Sequence, residues 1–202
     1  MKRVAVLASG RGSNLGALIA AHVTFASYRV VLVVSNRDSS GALTVARAAG
    51  IDAVLAPGGG LTREEHEEAV LGALKSRSID IVCLAGYMRV LSPAFIDRFP
   101  RPILNIHPSL LPAFAGMHAQ RQAIEAGVRW SGVTVHFVDA GLDTGPIILQ
   151  EPVRVEPEDT EASLSSRILE TEHRLYPQAV DVVARDDYEI RGRIVYLGGG
   201  KE

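Results

Sequence analysis

With 202 residues, 47% of them hydrophobic and 22% charged, the chain is composed like a globular α/β domain with a full core, and not like a disordered segment. A formal net charge of -2 without any Lys/Arg block argues against a nucleic-acid surface, although backbone amides can hold one phosphate without a basic patch. The single cysteine, Cys83, cannot form an intramolecular disulfide, and no apolar run approaches bilayer length, so a cytoplasmic protein is the simplest expectation.

Val4 to Ala8 reads as a first strand, so the Met1-Lys2-Arg3 start is not taken as a signal peptide. Ser9-Gly10-Arg11-Gly12-Ser13-Asn14 follows, and then a helical pattern from Leu15 to about Ala26. Strand, glycine-rich loop and helix together present free backbone N–H groups and a positive helix end to an anion. A dinucleotide fingerprint would need glycine where Leu15 stands and an acid where the second strand, Arg29 to Ser35, runs into Asn36. A single phosphate held by Gly12, Ser13 and Asn14 is the better reading; a plain strand-to-helix turn with a capping serine stays open on the loop alone.

Ser39 to Ala49 is a short helix stopped at Gly50, Val54-Leu55 a short third strand, and Gly58-Gly59-Gly60 a flexible connection. Thr62-Arg63-Glu64-Glu65 opens the next helix like a capping box and runs to about Ser76. Ile79 to Ala85 is nearly all apolar, as suits a parallel strand covered on both faces. It exits into Gly86-Tyr87-Met88-Arg89-Val90-Leu91-Ser92-Pro93, a segment suited to walling a pocket for a flat ligand, although core packing explains Met88 and Leu91 equally well.

Ile103-Leu104-Asn105-Ile106-His107 carries the main signal. Residues two apart in a strand share a face, so an amide and an imidazole project together from the end of a buried strand. Two prolines, Pro108 and Pro112, follow closely; whether Leu111–Pro112 is cis stays open. Ala119 to Ala126 reads as a helix, and Gly132 to Val138 with Ile147 to Val155 as an antiparallel pair joined by a loop containing Asp143. Thr160 to Ala184 is the longest helix, with Pro177 able to kink it, and Tyr188 to Leu197 a last short hairpin before the end frays. One domain, residues 1–202, is expected, with a phosphate-binding half at about 1–100 and a catalytic half at about 101–202.

An Asn, a His and an Asp at the ends of neighbouring strands can act as one unit. A carboxylate beside an imidazole favours its charged form, and an amide can donate to a developing oxyanion. That set suits a tetrahedral intermediate on a carbonyl carbon; with no evident nucleophile it points to direct transfer between bound substrates. His107, His118, His136 and His173 are scattered and Cys83 is alone, so no metal is expected.

Asn105 to Pro112, with Gly132 to Asp139 leading into Leu142-Asp143-Thr144-Gly145-Pro146, resembles the folate-dependent formyltransferase family, from about Val4 to Pro177. Ser9 to Asn14 resembles the phosphate loop of its members that formylate glycinamide ribonucleotide. The resemblance implies a Rossmann-like, mostly parallel sheet with helices on both faces and an added antiparallel hairpin in the C-terminal half. It also implies transfer of a formyl group from 10-formyltetrahydrofolate, as co-substrate, to the amine of glycinamide ribonucleotide, a step of de novo purine synthesis, by a monomer or homodimer. Gly12, Ser13 and Asn14 would hold the phosphate and Glu172 the ribose. Arg63, Met88, Arg89, Val90 and Leu91 would bind the folate, with Ala140, Gly141 and Asp143. Asn105 would bind the formyl region, His107 would donate the proton, and Asp143 would support it. Ala140 and Ala115 stand where the family often has an acid and a proline.

Methionyl-tRNA formyltransferase is a competing reading that would carry an added RNA-binding domain. Formyltetrahydrofolate deformylase would carry an added N-terminal domain. A non-catalytic phosphate binder would need the first loop but not the triad.

Overall fold

The computed structural model describes residues 1–198, and the chain divides into two units, Met1–Leu104 and Asn105–Glu202. The first contains β1 (Lys2–Leu7), α1 (Ser13–Ala20), β2 (Tyr28–Ser35), α2 (Gly41–Ala48), β3 (Asp52–Leu55), α3 (Arg63–Lys75), β4 (Ile81–Leu84) and α4 (Pro93–Arg98). Its strands lie in the order β3-β2-β1-β4 and all pair in parallel. Val4 to Leu7 and the whole of β4 are buried. Successive residues of a strand face opposite sides, so burial of every residue means that both faces are covered.

β5 (Ile103–His107) begins in the first unit and ends in the second, and Val82 N–H donates to Pro102 O at 3.0 Å just before it. The second unit continues with α5 (Ala119–Glu125), β6 (Trp130–Phe137), β7 (Ile147–Arg154), α6 (Glu161–Ala184), β8 (Tyr188–Arg191) and β9 (Ile194–Leu197). β6 and β7 are antiparallel, and so are β8 and β9, whereas β9 runs parallel to β7. The chain is therefore of α/β class, a mostly parallel, Rossmann-like arrangement with an antiparallel hairpin in its C-terminal half.

Local chemistry explains most boundaries. Thr62 accepts from Glu65 N–H while Glu65 accepts from Thr62 N–H, the reciprocal cap that starts α3. Ser92 caps α4, with Pro93 in its first turn. α1 is shorter than the expected run to Ala26: it ends at Ala20, followed by one 3-10 turn over Ala21–Val23. Val23 is 93% exposed, so a further turn there would bury almost no apolar surface, and β-branched Val23 and Thr24 add little helix propensity. α6 runs through Pro177 to Ala184, its face buried along Leu164, Ile168, Tyr176 and Val180. The Leu111–Pro112 bond is cis. Fraying beyond Leu197 concerns 199–202, which lie outside the described residues.

Candidate active site

In the first unit the strand order reverses at β1, which has β2 on one side and β4 on the other. Ligands of open α/β sheets bind beyond the carboxyl ends of strands at such a reversal. The loops leaving β1 and β4 meet there. Ser9 N–H donates to Gly86 O at 3.1 Å, and Ser9 Oγ accepts from Met88 N–H at 2.8 Å while donating to Asn36 Oδ1 at 2.6 Å. Gly12 caps α1 at φ 85°, a left-handed conformation that glycine adopts without strain. The Gly12 cap makes no side-chain hydrogen bond, and a helix start of this kind presents backbone N–H groups of the sort that suit an anion.

The loop is held from behind by α2. Ser40 Oγ donates to Gly10 O at 2.9 Å, and Ala42 N–H reaches the same oxygen at 3.3 Å. A Cβ at Gly41 would stand 2.6 Å from Arg11 O, and one at Gly12 would stand 2.7 Å from Ala42 Cα. Two backbones approach this closely only where both positions lack side chains.

The segment after β4 is irregular yet tied down. Tyr87 O–H donates to His66 Nε2 at 2.6 Å, because His66 Nδ1–H is directed at the Pro57 carbonyl at 3.2 Å. Burial lowers the His66 pKa and pushes the Tyr87 phenol up to about 12, which keeps this neutral pair in place. Arg63 donates from Nε to Glu67 at 3.3 Å and from Nη2 to Val90 O at 2.8 Å. Arg89 donates to Gly58 O at 3.0 Å. Met88 and Val90 are 58% and 61% exposed, whereas Leu91 is buried.

In the second unit, Asn105, His107 and Asp143 come together. His107 Nδ1 lies 3.3 Å from Asp143 Oδ2, and His107 Nε2–H donates to Phe114 O at 2.9 Å. The imidazole therefore has a carbonyl oxygen at one nitrogen and a carboxylate oxygen beside the other. Gly116 N–H also donates to Asp143 Oδ2, at 2.8 Å. Asp143 and Phe114 adopt φ of 54° and 56°, a left-handed backbone that turns the carboxylate and the carbonyl toward the imidazole.

A second histidine completes the cluster. His136 Nδ1–H donates to Phe137 O at 2.8 Å, which leaves Nε2 to accept from Asn105 Nδ2 at 3.2 Å. The other amide hydrogen of Asn105 is directed at Asp143 Oδ1 at 3.4 Å. Burial lowers the His136 pKa, in keeping with this neutral form. In the sequence His136 figures as a scattered histidine and within the stretch Gly132 to Asp139; the signal for its present place is an imidazole among the β-prone residues Val133, Thr134, Val135 and Phe137. The structure also shows that the Asn105 donors intended for an oxyanion are engaged within the protein, the longer contact being the one to Asp143.

Ser109 and Thr134, both fully buried, build the turn entering this cluster, and exposed Gln150 closes it. Thr134 Oγ1 donates to Ser109 O at 2.7 Å and accepts from Leu111 N–H at 3.1 Å, and Gln150 Nε2 donates to Leu111 O at 2.9 Å. Of the remaining expected residues, Glu172 lies on the buried face of α6, and Ala140 and Gly141 are exposed in the loop between β6 and β7. Asp139 shapes that loop by accepting from Gly141 N–H at 3.1 Å and Thr144 Oγ1 at 2.7 Å.

A parallel sheet with a glycine-capped helix start in one unit and an imidazole–carboxylate–amide cluster in the other describe an α/β group-transfer protein. The chain matches the formyl transferase family over residues 2–180. It is 38% identical over 201 residues to the phosphoribosylglycinamide formyltransferase of Haemophilus influenzae, covering 98% of this chain and 95% of that one. It is 48% identical over 183 residues to the trifunctional purine biosynthetic protein adenosine-3 of Drosophila melanogaster, covering 89% of this chain but spanning only 14% of that protein. The solved glycinamide ribonucleotide transformylase 1 of Symbiobacterium toebii has a TM-score of 0.94 at 46% identity, covering 98% of this chain and 94% of that one. The chain belongs to the formyl transferase family.

Proposed function

We propose that this chain has the activity of a phosphoribosylglycinamide formyltransferase, moving the formyl group of 10-formyltetrahydrofolate to the amine of glycinamide ribonucleotide in purine biosynthesis. The observation that carries the reading is the Asn105–His107–Asp143 cluster, with an imidazole whose two nitrogens both face acceptors. The amine attacks the formyl carbon, the carbonyl becomes an oxyanion, and collapse breaks the bond to the folate N10. Overall the amine gives up one proton and N10 takes one. His107 is the proton donor, exchanging one of its two contacts for substrate, and Asp143 faces the Nδ1 edge of its ring at 3.3 Å. Asn105 exchanges its 3.4 Å contact with Asp143 for the oxyanion.

In this reading Gly12, Ser13 and Asn14 hold the ribonucleotide phosphate and Glu172 its ribose. Arg63, Met88, Arg89, Val90 and Leu91 bind the folate, together with Asn105, Ala140, Gly141 and Asp143. The two units act as one formyltransferase domain, in the cytoplasm, as a monomer or homodimer. Among the described residues no helix is long and apolar enough to cross a membrane.

The test is incubation with 10-formyltetrahydrofolate, with and without glycinamide ribonucleotide, following release of tetrahydrofolate. Release that requires the amine is the expected result; release at the same rate without it would make the protein a deformylase.

A further inference from the structure

Five anchors hold the segment Tyr87–Ser92, which has no regular secondary structure of its own. Tyr87 is tied to His66, Met88 N–H to Ser9, Arg89 to Gly58, Val90 O to Arg63 and Ser92 to Glu67. What this pinned segment displays is apolar: Met88 and Val90 are 58% and 61% exposed, while Tyr87 and Leu91 turn inward at 9% and 7%. A preformed surface of this kind loses little conformational entropy when a flat ligand settles on it.

We propose that Glu67 is the positioning residue of this platform, setting from α3 how far the segment stands out for the folate. Its side chain is only 10% exposed, and its carboxylate ties two points at once. Oε1 accepts from Ser92 N–H at 2.8 Å and from Arg63 Nε at 3.3 Å, and Oε2 accepts from the Ser92 hydroxyl. Ser92 Oγ in turn accepts from Phe95 N–H at 3.0 Å, so the same carboxylate steadies the start of α4. Through Arg63, whose Nη2 holds Val90 O at 2.8 Å, it also governs the middle of the segment. Arg63 then acts on the folate partly by fixing the backbone beneath Val90.

The inference rests on the proposed folate role of residues 88–91, and its test separates the two. Steady-state constants for both substrates are measured for Glu67→Ala, Glu67→Gln and Val90→Asp. Losing a buried charged anchor predicts a KM for 10-formyltetrahydrofolate about tenfold higher in Glu67→Ala, with kcat and the KM for glycinamide ribonucleotide within about twofold of the parent. Glu67→Gln keeps a carbonyl oxygen for Ser92 N–H and is expected to restore the folate KM to within about threefold. If Val90→Asp raises the folate KM and Glu67→Ala leaves it unchanged, the role of Glu67 is overturned while the folate platform stands. If neither changes it, the platform itself is overturned. Should Glu67→Ala not fold, Ser92→Ala decides in its place: it removes the hydroxyl contact, and an unchanged folate KM there overturns the inference.

Discussion

Gly41 offers a sharp test of how the loop from Ser9 to Asn14 is held, because the perturbation is a single methyl group. Its Cβ would stand 2.6 Å from Arg11 O and 3.2 Å from Arg11 C and Cα, all backbone atoms that no rotamer change can move. Ordinary carbon contacts lie at about 3.5 Å or more, so the loop or the start of α2 must give way by roughly 0.9 Å. Overpacking of this kind costs about 1–3 kcal/mol, which for a chain of this size lowers Tm by roughly 2–12 °C. The displaced loop would also loosen the bonds from Ser40 Oγ and Ala42 N–H to Gly10 O. Misplacement by about 1 Å can cost on the order of a hundredfold in a positioned reaction, so the KM for glycinamide ribonucleotide is expected to rise at least tenfold while the folate KM stays put. Gly16 is the control, since it lies in α1 with nothing within 4 Å of where a Cβ would stand, and Gly16→Ala should stabilise by about 0.5–1 kcal/mol. Thermal melts and steady-state kinetics on both variants decide the matter. A Gly41→Ala protein with parental Tm and parental ribonucleotide KM would refute the reasoning.

Three further predictions concern the site and its surroundings. His107→Ala and Asp143→Ala should each lose about 10²–10⁴ in kcat while melting cooperatively, and full turnover in either purified variant would count against their roles. Replacing Ser13 or Asn14 by alanine should raise the ribonucleotide KM more than the folate KM; equal effects would remove the phosphate assignment. Burial lowers the pKa of both His66 and His136, so below the unfolded value of about 6.5 the unfolded chain binds protons that the native chain does not. Stability is therefore present above that pH and lost as pH falls below it, by at most about 1.4 kcal/mol per unit for each group. Melts between pH 7.5 and 5.5 should show Tm falling on acidification, less steeply in His66→Gln, and a flat profile in the parent would contradict the neutral forms.

Much of the fold and site could be read from residue patterns because the physics acting there is local. Nearly continuous apolar runs mark Val4–Leu7 and Ile81–Leu84 as strands covered on both faces, and Thr62 with Glu65 marks the start of α3. Asn105 and His107 stand out because two polar groups interrupt a buried strand on one face. Other parts depend on which segments pack together. His136 gains its meaning only when pairing of neighbouring strands sets it beside Asn105. Phe114 O and Gly116 N–H, which hold His107 and Asp143, are backbone groups that no side-chain pattern announces. Glu67 sits in the run Arg63-Glu64-Glu65-His66-Glu67-Glu68 and looks like a solvated helix face until packing of α3 against Ser92 buries it. The early end of α1 likewise depends on Val23 lying exposed at that point of the fold.

The central claim is that one formyl group passes directly between two bound substrates, with Asn105, His107 and Asp143 serving the tetrahedral intermediate and no enzyme group taking the carbon. A single-turnover experiment with the formyl carbon isotopically labelled follows that atom itself. The account predicts that all label leaving the folate appears on the glycinamide ribonucleotide nitrogen, with the protein's mass unchanged throughout. Label recovered as free formate, or carried on the protein before it reaches the amine, would contradict it.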